Sequence, residues 1–169
     1  MIPIHPVPSK QALRDAAKQK RRAIPEDEIT KKSARICAYL MEVIDGCDPV
    51  MAYVSKPPEV DTHQFIRDLL REGRRVVVPI IEKETRTLRL SYLRDTALLV
   101  KSTFHVPEPI GNEIPAQGSD IRTVIIPLLA FARKGNRLGY GAGYYARFLA
   151  HNPGVRKIGV AFSCQETDS

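Results

Sequence analysis

Residues 123–145 read TVIIPLLAFARKGNRLGYGAGYY. The first ten carry no charge and include the β-branched cluster Val124, Ile125 and Ile126. A run of this length and composition predicts a strand over 123–132, buried on both faces as in a parallel sheet. The rest gathers four of the chain's ten glycines between Gly135 and Gly143. A helical segment, 143–150, follows. Buried strand, glycine-rich loop and helix form the repeating unit of an α/β protein.

The same alternation extends outward in both directions. PVMAYV (49–54) and RRVVVPII (74–81) predict buried strands, LRLSYL (88–93) a half-buried or edge strand, and KIGVAF (157–162) a last strand. Ser9 reads as the N-cap of a helix over 10–23 with Leu13, Ala16 and Ala17 on its apolar side. Pro25 and the acids Glu26, Asp27 and Glu28 start a second helix, with negative charge at the positive dipole end. Its buried stripe is Ile29, Ile36, Leu40 and Val43. Thr62 caps a third helix carrying Phe65, Ile66, Leu69 and Leu70, which stops at Gly73. Residues 1–8, with three prolines, read as an extended lead-in. The expected fold class is α/β, layered around a mostly parallel central sheet. Ligands in such sheets bind beyond the carboxyl ends of the strands.

The 169 residues make one domain, read as 1–169, with an apolar fraction of 43% and a charged fraction of 27%. A net charge of +7 and a pI near 9.5 favour an anionic partner without choosing among nucleic acid, membrane and phosphorylated small molecule. The longest apolar run, Val124 to Ala132, is too short to span a bilayer, and MIPIHPVPS lacks the pattern of a secretory signal. Cys37, Cys47 and Cys164 are scattered, and the four histidines do not cluster. A disulfide framework or zinc site is not expected, and the expected setting is the cytoplasm. No nucleic-acid motif accompanies the positive charge, so neither nucleic acid nor membrane is expected as a partner.

Four features bear on chemistry. Glycines let a backbone approach a ligand closely, and a helix starting at Gly143 adds free N–H groups, so the loop forms an anion cradle with Arg137 inside it. It matches neither common phosphate fingerprint: no Lys-Ser/Thr follows the last glycine, and Tyr144 stands where the dinucleotide pattern needs glycine. On glycine content alone, a tight strand-to-helix turn without ligand stands equally well. Lys10 and Arg14 share a helix face near its N-terminus, where they repel each other and oppose the dipole. An anion between them reverses both penalties; the alternative is a solvated basic face continuous with Lys18, Lys20, Arg21 and Arg22. Glu59, set after two prolines at a strand mouth, could accept from a ring N–H or amino group, or be a loop acid without a role. Phe104 in STFHVPEPIG could stack on a flat ring, or pack in the core.

These pieces occur in this order in one family. Lys10-x-x-x-Arg14, Tyr53-Val-Ser with Glu59-Val-Asp-Thr62, Phe104-His-Val-Pro-Glu-Pro109, PLLAFARKGNRLGYGAGYY and GVAFSCQ together resemble the 5-formyltetrahydrofolate cyclo-ligases, also called 5,10-methenyltetrahydrofolate synthetases. The resemblance implies a three-layer sandwich similar to ribose-phosphate isomerases and coenzyme A transferases. It implies ATP-dependent closure of 5-formyltetrahydrofolate to 5,10-methenyltetrahydrofolate, with ATP and the folate as partners and Mg²⁺ accompanying ATP. It places Lys10, Arg14, Arg137, Leu138, Gly139, Tyr140, Gly141, Ala142, Gly143, Tyr144 and Tyr145 at ATP, with Arg137 and Tyr145 as catalytic candidates. Val54, Glu59, Phe104, Tyr140, Gly141, Gly143 and Tyr144 are placed at the folate. A monomer or weak homodimer is expected. The family carries aspartates, one of them a Mg²⁺ ligand, where this chain has Ala132 and Ala146, so no metal-binding side chain is assigned. The family also continues beyond the position of Ser169, so its C-terminal tail is expected to be missing. These departures motivate a second reading, a relative that binds nucleotide or folate without turnover.

Overall fold

A computed structural model describes residues 8–167; all but the last residue of the proline-rich lead-in lies outside them. The chain runs α1 (Lys10–Arg22), α2 (Glu26–Val43), β1 (Val50–Ala52), α3 (His63–Arg71), β2 (Val76–Glu82), β3 (Thr87–Leu93), β4 (Val100–Lys101), β5 (Pro107–Glu108), β6 (Ile114–Ala116), β7 (Thr123–Pro127), β8 (Ala130–Phe131), β9 (Arg137–Leu138), α4 (Tyr144–His151) and β10 (Arg156–Val160). Six strands form the central sheet in the order β10-β7-β1-β2-β3-β6. The four strands β10, β7, β1 and β2 run parallel, whereas β3 and β6 pair antiparallel at one side.

Alternation along the strands builds two cores. Val50 and Ala52 of β1, Val76 and Val78 of β2 and Ile125 of β7 face α2 and α3, meeting Cys37, Leu40, Phe65, Ile66 and Leu69. The intervening Met51, Val77, Val124 and Ile126 face the other way, toward Phe148 and Leu149 of α4. Each central strand is thus buried on both faces, which is why it reads as a continuous apolar run. The result is the expected three-layer α/β sandwich.

Several local expectations change. The strand predicted over 123–132 is two strands: β7 ends at Pro127, and β8 leaves the sheet to pair with β9. The bend between them is held by Gln165, whose Nε2 donates to the carbonyls of Leu128 and Leu129 at 2.7 and 2.9 Å. Gln165 Oε1 accepts from the Phe162 N–H at 2.7 Å. Gln165→Ala strips these buried partners and is expected to cost about 3 kcal/mol, read as a lower midpoint in urea unfolding.

Ser9 caps α1 as expected, its Oγ accepting from the Ala12 N–H at 3.1 Å. Ala16, however, is exposed, and the buried side of α1 is Ala17 and Arg21. Thr62 stands at the N-cap of α3 without a capping bond; its hydroxyl donates to the Tyr53 carbonyl at 2.7 Å, tying the start of α3 to the end of β1.

Candidate active site

The carboxyl ends of β1, β2 and β7 converge, as an α/β sheet requires of a ligand site. After β1, the Lys56–Glu59 turn, with a cis Pro57–Pro58 peptide, folds back so that the Lys56 N–H donates to Glu59 Oε1 at 2.8 Å. Beyond β7, β8 and β9 form a short hairpin that absorbs Gly135 into its turn. The glycine cluster is therefore two structures. The open cradle is only 139–143, and residues 139–142 are exposed.

Two arginines grip this cradle. Arg14 Nε donates to the Gly139 carbonyl at 3.0 Å, and its guanidinium lies where a side chain on Gly141 would stand. Arg147 of α4 donates to the carbonyls of Ala142 and Arg86, pinning the cradle to the β2–β3 turn. Gly141 and Gly143 have φ of +101° and +76°, which only glycine adopts readily. Gly143 also caps α4 with no side-chain bond, leaving the first amides of that helix facing the cradle.

Helix α1 lies alongside, seated by Ala17 against Leu129, Ala130 and Leu138. Lys10 is one helical turn before Arg14 and on the same face, so α1 sets a row of cations beside the cradle. Lys10 and Arg137 are exposed and make no ion pair or hydrogen bond among the described residues. Leu138 packs inward from β9, and alternation puts Arg137 on the opposite side.

Tyr140 joins the cradle to Glu59. Its hydroxyl donates to Glu59 Oε2 at 2.8 Å and accepts from Arg21 Nη1 at 2.7 Å. Burial pushes the Glu59 carboxyl up, opposed by the Lys56 N–H, the Tyr140 hydroxyl and the Arg21 charge. Burial and the nearby Glu59 raise the Tyr140 phenol.

Phe104 sits at the tip of the β4–β5 hairpin and is 47% exposed. It and His105 have φ of 55° and 62°, a costly conformation for residues with side chains. The ring stands edge-on to Tyr144 with centroids 6.5 Å apart. The Lys83 ammonium lies 4.7 Å over the ring, and Lys56 Nζ donates to the Phe104 carbonyl at 2.9 Å. The hairpin is anchored by Glu108, fully buried, which accepts from the Ile81 N–H at 2.6 Å.

The fold thus brings together Arg14, Gly139, Tyr140, Gly141 and Glu59, and separately Phe104 with Tyr144. Val54 does not present a side chain to this surface: it is 2% exposed and lies in the core. The Tyr145 ring packs against both cores, and burial raises its phenol. Among the described residues no group of three or more His, Cys, Asp or Glu could hold a metal ion, and positions 132 and 146 offer only methyl groups. These residues do not fit a protein-held Mg²⁺. Sequence reasoning missed Arg21, Lys56, Lys83 and Arg147. For Arg21 a signal existed, since it stands two helical turns from Arg14 on one face.

Comparison with known proteins adds a common theme. The profile of the 5-formyltetrahydrofolate cyclo-ligase family matches residues 6–169. A 5-formyltetrahydrofolate cyclo-ligase of Haemophilus influenzae is 33% identical over 127 residues, covering 71% of this chain and 66% of that protein. That of Mycolicibacterium smegmatis is 32% identical over 156 residues, covering 89% and 79%. Among solved structures, the 5,10-methenyltetrahydrofolate synthetase of Aquifex aeolicus superposes with a TM-score of 0.82 at 28% identity, covering 95% of this chain and 81% of that one. The enzyme of the same name from Mycoplasma pneumoniae gives 0.71 at 26% identity, covering 95% and 89%.

Proposed function

Because the chain belongs to the 5-formyltetrahydrofolate cyclo-ligase family, we propose that it closes 5-formyltetrahydrofolate to 5,10-methenyltetrahydrofolate at the expense of ATP. The observation that carries this reading is the position of Tyr140. One residue belongs both to a cradle gripped by a cationic helix and to the carboxylate at the mouth of β1. Phosphate and pterin sites then adjoin, as phosphoryl transfer between the two ligands requires.

Lys10, Arg14, the amides of 139–143 and the start of α4 hold the ATP phosphates. Glu59 accepts from the folate ring, while Phe104 and Tyr144 border its aromatic part. The formyl oxygen attacks the γ-phosphorus and ADP leaves. N10 then attacks the formyl carbon and loses its proton, and the carbon–oxygen bond breaks as phosphate departs. Arg137 is the residue free to neutralise the transferring group. Val54 lines the folate side through its backbone, and Tyr145 braces the cradle from the core. Mg²⁺ enters with ATP, and no step is assigned to it. The reaction is placed in the cytoplasm, with the chain acting as a monomer or weak homodimer.

The deciding experiment follows the near-ultraviolet absorbance of the methenyl product after mixing the chain with ATP, Mg²⁺ and 5-formyltetrahydrofolate. Product formation at a rate proportional to protein is expected. Ala132 and Ala146 favour a second reading, binding without turnover; saturable binding of both ligands with no product at any concentration would establish it. The phosphate assignment has its own check. Lys10→Ala is expected to weaken ATP about ten-fold by calorimetry, the loss of one charge-assisted contact. Unchanged affinity would remove Lys10 from the site.

A further inference from the structure

Arg21 is 6% exposed, an uncommon place for a guanidinium. It makes no direct ion pair among the described residues. Its Nη1 donates to the Tyr140 hydroxyl at 2.7 Å, its guanidinium lies 5.5 Å from the centre of that ring, and its Nε is buried without a partner among the described residues. A neutral phenol alone does not offset the solvation a buried cation loses. The offsetting charge lies one hydroxyl further on, at Glu59 Oε2, 2.8 Å from the same oxygen. Arg21, Tyr140 and Glu59 therefore form one relay from α1 to the mouth of β1.

We propose that Arg21 is a positioning residue for the folate: acting through the Tyr140 hydroxyl, it keeps the Glu59 carboxylate aimed and charged as the acceptor for the substrate ring. This rests on the proposed role of Glu59. Glu59 is nearly buried, and its burial favours the neutral acid, which is a poorer acceptor. Lys56 contributes its backbone N–H and its charge from the turn, while Tyr53 just after β1, Tyr140 of the cradle and Tyr145 of α4 complete the surroundings. Burial raises the three phenols above their ordinary values, so they stay neutral through the physiological range. Glu59 is the group of this set that burial pushes up toward that range. Arg21 lowers its proton affinity, so removing Arg21 makes the carboxylate protonate at higher pH.

The test measures binding of 5-formyltetrahydrofolate without nucleotide between about pH 5 and pH 9. Wild-type affinity is expected to fall on the acid side as Glu59 takes up a proton. In Arg21→Met that acid limb moves upward by about one pH unit, a roughly ten-fold loss within the limb that shrinks toward pH 9. Arg21→Lys, retaining charge without the fork, restores most of the limb. Tyr140→Phe moves it in the same direction and carries the test should Arg21→Met fail to fold. A loss equal at every pH in both variants, or no change in either, overturns the proposal. Glu59→Gln separates the two layers. If it binds the folate as wild type does, the role of Glu59 itself fails; if it binds weakly while Arg21→Met and Tyr140→Phe keep the wild-type limb, only the relay fails.

Discussion

Arg137→Ala is expected to slow turnover about a thousand-fold at saturating ATP and 5-formyltetrahydrofolate, while leaving the fold intact. An arginine that meets the transferring phosphoryl group supplies on the order of 10³-fold or more in comparable chemistry, because the negative charge it neutralises peaks in the transition state. The structure gives Arg137 the freedom for that role: it is exposed on β9, opposite the face that Leu138 packs, and among the described residues no carboxylate pairs with it. The same exposure predicts a stability change within about 0.5 kcal/mol. Arg137→Lys should recover only part of the rate, since an ammonium lacks the planar fork. Rapid-mixing measurement of a single turnover separates the chemical step from product release. A fall below ten-fold would reassign Arg137 to the solvated surface.

Gly141→Val should be nearly as damaging by a different route. At φ +101° a β-branched residue is excluded, and its Cβ would stand 3.2 Å from Arg14 Cζ. The cradle has to turn over, which releases Arg14 from the Gly139 carbonyl and Tyr140 from Glu59. A displacement of about 1 Å costs on the order of 100-fold in a positioning mechanism, and here both ligands are affected. We expect kcat/KM to fall at least about 100-fold for ATP and for the folate. Thermal stability should fall as well, because position 141 is strained and the buried Arg21 and Glu59 lose the hydroxyl between them. Gly141→Ala should fall between, paying the backbone strain with a smaller contact. A tight turn with no ligand would lower stability alike but leave the kinetics per folded molecule unaltered.

The layered fold was legible because parallel strands buried on both faces leave unbroken apolar runs, as in VVVPII and VIIP. The break after Pro127 was not legible, since apolarity reports burial and not direction. The bend depends on Gln165, whose amide reaches carbonyls 36 and 37 residues earlier. Lys10, Arg14 and the glycines announced themselves by local disagreement with helix and turn energetics, and the fold does bring Arg14 to the cradle. Arg21 shares the face of Arg14 two turns on, but nothing in its charged neighbourhood announced that it would be buried. The pairing of Tyr140 with Glu59 spans 81 residues and needs both β7 beside β1 and the arginines that hold the cradle.

The phenol at position 140 has one more implication. It is bonded toward α1 on one side and toward Glu59 on the other, so a ligand that moves this hydroxyl from one half of the cleft alters its bond to the other half. Thermodynamic reciprocity then fixes the balance: whatever factor bound nucleotide applies to folate affinity, bound folate must apply to nucleotide affinity.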